Sequence, residues 1–186
     1  MKFVSLLSLA LLGAVTAHGA AVNVDVDKKS VDDVIRSLKR DPEGGFKHVG
    51  DDGVVRSYSA DGKVIDAARL TNQQLMQAAA HHENSEDRKH LEKVWQGVHG
   101  FDAPEEQLYA PAQHLLPRVL TDETLSKELQ QKEAEHLAVR GQSKIKGVLS
   151  PNVNCQALTC NSWTFCQSSG CRDCVQYDYM RGNLCR

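Results

Sequence analysis

Six cysteines occupy the last fifth of this 186-residue chain and none precedes them. Cys155, Cys160, Cys166, Cys171, Cys174 and Cys185 are spaced C-x4-C-x5-C-x4-C-x2-C-x10-C. Two chemistries use cysteine at this density: metal ligation and disulfide formation. A structural zinc site wants two CxxC pairs, or one pair with two spaced histidines. Only Cys171-Arg172-Asp173-Cys174 has that form here. Disulfides are therefore expected, and six sulfurs allow fifteen pairings that sequence alone does not resolve.

The other residues with chemical potential are weaker candidates. His81-His82-Glu83 is followed by Glu86 and His90, but no His-Glu-x-x-His is present, so the helical zinc-protease arrangement is absent. Solvated polar helix residues explain them, and no metal or other cofactor is expected. There is no Gly-x-Ser-x-Gly elbow, phosphate loop or dinucleotide fingerprint. The acidic pairs Asp51-Asp52 and Glu105-Glu106 carry no diagnostic spacing. No enzymatic activity is expected. A net charge of −2 without basic clusters gives no footprint for nucleic acid or for an anionic membrane surface.

The compartment follows from the N-terminus. Lys2 precedes an apolar run from Phe3 to Val15, and Val15-Thr16-Ala17 supplies small residues at a cleavage position. This is the pattern of a secretory signal peptide, residues 1–17, and the run is too short to span a bilayer. A secreted, extracellular protein is expected, in an environment where thiols oxidise. Lys39-Arg40 is a dibasic pair bounded by Asp41-Pro42, and so a candidate processing site. Basic residues ending a helix also favour the negative end of its dipole.

These groups need elements to position them. Residues 18–150 read as a mainly helical, partly flexible region with one β-hairpin, and residues 151–186 as a disulfide-rich module. Ser30 caps a short helix from Val31 to about Lys39, with Asp33 at N3. Val54-Val55 and Val64-Ile65 flank Ala60-Asp61-Gly62-Lys63, and Asp-Gly is a strong hairpin signal. Thr71 with Gln74 forms a capping box for the next helix. Leu91, Val94, Trp95 and Val98 repeat at helical spacing. Thr121 or Asp122 caps a last helix to about Arg140, with Gly141 as its stop. Apolar residues are sparse throughout, so a marginal core is expected.

The cysteine segment is too short to bury a core of its own, and each cross-link substitutes for one by about 2–4 kcal/mol. Its spacing resembles the inhibitor cystine knot, or knottin, family. The short gap between Cys171 and Cys174, and the turn Met180-Arg181-Gly182-Asn183 in the long last gap, carry the resemblance, which covers about a sixth of the chain. It is nearest to plant metallocarboxypeptidase inhibitors and fungal cystine-knot avirulence peptides. It implies the pairs Cys155–Cys171, Cys160–Cys174 and Cys166–Cys185, with a hairpin before Cys185. Only Arg186 follows Cys185, so the inhibitors' tail-insertion mechanism is not carried over. The overall layout resembles small secreted cysteine-rich proteins of filamentous fungi.

Trp163, Phe165, Tyr177 and Tyr179 are concentrated in this segment, and a stapled scaffold is expected to expose some of them for binding. Arg172, Arg181 and Arg186 could frame that surface. The expected partner is an extracellular or host protein, which would make the chain an effector, toxin or inhibitor. The alternative is a cell-wall polysaccharide such as chitin or cellulose, because Tyr177, Tyr179 and Cys185 resemble the tyrosine-rich end of fungal cellulose-binding modules. Cleavage after Ala17 predicts a mature protein beginning at His18. N-terminal sequencing of the exported protein checks this, and a start at Asp41 would instead report cleavage after Arg40.

Overall fold

The computed structural model describes residues 29–144, 153–178, 180 and 183–186. Its centre is one six-stranded sheet. The elements run α1 (Val31–Ser37), β1 (Phe46–Val49), β2 (Val54–Tyr58), β3 (Val64–Arg69), α2 (Asn72–Ala80), α3 (Ser85–Val94), α4 (Glu105–Tyr109), α5 (Arg118–Thr121), α6 (Glu123–Lys144), β4 (Thr159–Cys160), α7 (Trp163–Ser168), β5 (Cys174–Tyr177) and β6 (Asn183–Cys185). Strand order is β3-β2-β1-β5-β6-β4.

Local sequence signals set many of the boundaries. Ser30 accepts from the Asp33 N–H at the start of α1. The Thr71–Gln74 capping box opens α2, and the Asn84 side chain caps α3. Asp122 accepts from the Leu125 N–H and starts α6. That helix runs through Gly141 to Lys144. A glycine inside a helix costs about 1 kcal/mol but stops it only where the chain turns left-handed.

The region before residue 150 is mainly helical and carries one strand more than the expected hairpin. It supplies three antiparallel strands, with β2 and β3 joined through the Asp61-Gly62 turn and β1 added on the other side of β2. The cysteine segment supplies the other three strands. β5 lies parallel to β1, with Lys47 opposite Val175 and Val49 opposite Tyr177. Backbone hydrogen bonding therefore crosses the join expected near residue 150. Parallel strands are normally covered on both faces, and β1 and β5 are buried along their whole lengths.

Two apolar clusters cover the faces. One joins Val31, Ile35, Leu75, Leu91 and Trp95 from the helices to Val49, Val55, Val175 and Tyr177 of the strands. The other joins Phe46 and Tyr58, which stack at 5.2 Å, to Leu125, Leu129, Phe165 and five of the cysteines. The disulfides are thus part of the second core. They pair Cys155–Cys171, Cys160–Cys174 and Cys166–Cys185.

One buried ionic group ties the halves together. Asp173 and Lys47 are each 2 % exposed, and the Lys47 ammonium donates to the Asp173 carboxylate at 2.9 Å. Arg40 donates to both oxygens of the same carboxylate, at 3.0 and 2.9 Å. Lys47 also donates to the Ile35 carbonyl. Burial pushes the Lys47 ammonium down, and Asp173 opposes that shift. Asp173→Asn would leave the ammonium buried without a counter-charge, a loss of about 3–5 kcal/mol. We expect Lys47→Met with Asp173→Leu to recover most of it, as measured by urea denaturation.

Candidate functional site

Of the aromatics expected to be exposed on the cysteine segment, Phe165 and Tyr177 are buried. Tyr177 is 1 % exposed and packs edge-on against His82 and Trp95, with the Arg186 guanidinium 5.1 Å from its ring centre. Phe165 is buried beside the cysteines. Trp163 is half-buried, and its indole N–H donates to the Asp41 and Gly44 carbonyls at 2.8 and 3.1 Å. A segment without enough apolar mass for its own core spends its aromatics on the core it shares. Tyr179, Arg181 and Ala17 lie outside the described residues.

The dibasic pair is not a free loop either. Lys39 donates its N–H to Asp66 at 2.9 Å and its carbonyl accepts from Ser57 at 2.7 Å. Arg40 is clamped on Asp173 and lies over the Trp163 ring, 5.6 Å from its centre. Both residues are exposed and lie outside α1, with the Arg40 guanidinium engaged by the fold. The clustered histidines also disperse. His81 bonds the Gln77 carbonyl, His82 packs on Tyr177, and His90 bonds Asp178. Among the described residues, the only group of three or more potential ligands close enough for one metal ion is Cys160, Cys166 and Cys185, and all three sulfurs are in disulfides.

Exposed aromatics occur instead on the segment between α3 and α5. Phe101 is 48 % and Tyr109 56 % exposed, with Asp102, Glu105 and Glu106 exposed between them. His99 lies against Phe101, ring centres 5.3 Å apart. The buried backbone beneath them is closely fixed. The Gly100 N–H donates to the Leu70 carbonyl at 2.9 Å, and a Cβ at Gly100 would stand 2.2 Å from the Gly53 carbonyl oxygen. Arg69 bonds the Ala103 carbonyl and Glu105. Arg56, fully buried on β2, donates to the Leu108 and Gln107 carbonyls at 3.2 and 2.9 Å and pairs with Asp52 through two bonds. Burial alone would raise the Asp52 carboxyl. The bonds and charge of Arg56, with help from Gln107, outweigh it and hold the group below its ordinary range. The acidic-aromatic segment is thus a rigid ridge. Pro104, Pro111 and Pro117 mark this stretch as extended or irregular in the sequence, and nothing local signals the buried Arg56 beneath it.

A polar knot lies where β5 ends. Asp178 takes a positive φ of 44°, and its N–H donates to the Val49 carbonyl at 2.7 Å. Its carbonyl faces the buried His48 Nε2 at 3.1 Å, which fixes the proton on that nitrogen, and its carboxylate meets His90 Nε2 at 2.7 Å. His48 Nδ1 has no partner.

The chain matches no protein-family profile and no solved structure. It is 27 % identical over 179 residues to the "Lactobacillus up-regulated protein" of Emericella nidulans, an alignment covering 95 % of this chain and 91 % of that protein. The similarity therefore spans both the helical region and the cysteine segment.

Burial pushes the His48 imidazole from 6.5 down to about 4. Above pH 6.5 the ring is neutral folded and unfolded, and costs nothing. Below it the unfolded chain takes up a proton that the fold refuses, so stability falls as pH drops from 6.5 to about 4. The loss is about 3 kcal/mol at 1.36 kcal/mol per pH unit. Asp51, raised by burial and then by Asp178 and Asp52, contributes with the opposite sign. We expect His48→Gln, which keeps a donor for the Asp178 carbonyl, to flatten the stability profile over this window in chemical denaturation.

Proposed function

We propose that the chain is a secreted, disulfide-stabilised interaction protein of the effector, toxin or inhibitor kind, and that it binds an extracellular or host protein. The observation that carries this reading is the rigid, exposed Phe101–Tyr109 ridge on a scaffold held by three disulfides. Exposed aromatics on a fixed backbone bind at low entropic cost, because little ordering remains to be done. The contact surface on this reading is the ridge and not the cysteine segment.

Other observations agree. The secretory leader and the oxidised cysteines support an extracellular location. Among the described residues, no helix is long and apolar enough to cross a membrane. The pairing of first with fourth, second with fifth and third with sixth cysteine supports a knottin-like arrangement within residues 155–185. The relative in Emericella nidulans carries a name that links its level to Lactobacillus. That supports a protein used in encounters between organisms. The polysaccharide alternative rested on a tyrosine row, and the burial of Tyr177 removes one of its two members.

Affinity capture from extracellular extracts tests the proposal, using wild-type protein beside Phe101→Ala/Tyr109→Ala. The expected result is a retained protein whose affinity falls about tenfold or more in the variant, with circular dichroism and Tm unchanged. Equal retention by both would overturn the assignment of the ridge.

A further inference from the structure

The three disulfides are not equally protected. Cys160, Cys166, Cys174 and Cys185 are each 0 % exposed, so two of the bonds are sealed. Cys171 is 7 % exposed, but its partner Cys155 is only half-buried. Cys155 lines a cleft of about 230 Å³ between α1 and the cysteine segment, together with Asp32, Ile35, Arg36, Gln156, Asp173 and Arg186. Arg186 pairs with Asp32 at 2.9 Å and Arg36 with Asp33 at 3.4 Å. Asp173, which also lines the cleft, is paired with Lys47 and Arg40, so the wall carries no acidic excess that would repel an incoming thiolate.

We propose that Cys155–Cys171 is a thiol-exchange site, opened by a low-molecular-weight thiol that enters this cleft. Exchange requires in-line approach of a thiolate to one sulfur, so access decides which bond reacts. The thiolate attacks Cys155 Sγ, a mixed disulfide forms there, and Cys171 Sγ leaves with the bonding electron pair and takes a proton from water. A second thiolate attacks the outer sulfur of the mixed disulfide, releasing the oxidised thiol and the Cys155 thiolate. Two thiols are oxidised to one disulfide, and one protein disulfide is reduced.

The rest of the sheet does not depend on this bond. β4 stays joined to β5 through Cys160–Cys174, and α7 to β6 through Cys166–Cys185. The Cys155–Ala157 turn is otherwise held by its own Asn154 cap and, just beyond it, by the Cys185 N–H on the Leu158 carbonyl at 2.9 Å. Reduction thus frees residues 153–157 and uncovers the cleft, while both cores persist. The inference is independent of which partner the ridge binds.

The test is timed reduction of the oxidised full chain by reduced glutathione, with alkylation and peptide mapping. Cys155 and Cys171 should become alkylated roughly tenfold sooner than the other four, as expected when access and not global unfolding controls reaction. The preference should vanish in denaturing guanidinium chloride. Simultaneous alkylation of all six under native conditions, or earlier loss of another pair, would overturn the proposal. A Cys155→Ser/Cys171→Ser variant should keep the wild-type far-ultraviolet circular dichroism and reduce its remaining bonds at unchanged rate. Rapid loss of those bonds would also overturn it, because the pair would then be a lock on the whole fold.

Discussion

A carboxylate is removed from water at low cost only where cations and donors replace its hydration. Asp173 meets that condition with Lys47 from β1 and Arg40 from the loop before it, and its backbone is paired with Arg186 at 2.8 Å in both directions. The remaining architecture depends on this arrangement. It sets the cysteine segment against β1, allows β5 to pair there, and places Tyr177 in the core that Leu91 and Trp95 line. Lys47 could not occupy a buried strand without it.

This dependence explains how two regions that each look marginal make one stable body. The residues before 150 offer few large apolar side chains, and the cysteine segment is too short for a core. Each completes the other. Val175 and Tyr177 fill the helical face, and the cysteines with Phe165 fill the opposite face against Phe46, Tyr58 and Leu129. The disulfides restrict the unfolded chain and also provide buried apolar volume. The ridge at Phe101 and Tyr109 is then held from below by β2 and β3, through Arg56 and Arg69.

Local order was legible in the sequence where a single residue type performs a local task. Ser30, Thr71 with Gln74, Asp122 and the Asp61-Gly62 turn act on their immediate neighbours. The three disulfide pairs are those implied by the resemblance to knottins. Strand β1 was not legible, because Phe46-Lys47-His48-Val49 is buried on both faces and shows no alternation. The partners that bury Lys47 and His48, Asp173 and Asp178, come from over 120 residues away. The same distance hid the fate of Tyr177 and Arg40. The ridge was missed because nothing in the local sequence shows that Arg56 is buried beneath it.

The most direct measurement is native-state hydrogen exchange on the oxidised full chain, comparing the β1 amides at Lys47–Val49 with the β5 amides at Val175–Tyr177. One shared sheet predicts that both sets open together, with the same free energy and the same denaturant dependence. Protection of the β5 amides that persists while β1 exchanges freely would show a cysteine module folded on its own, and would contradict the account.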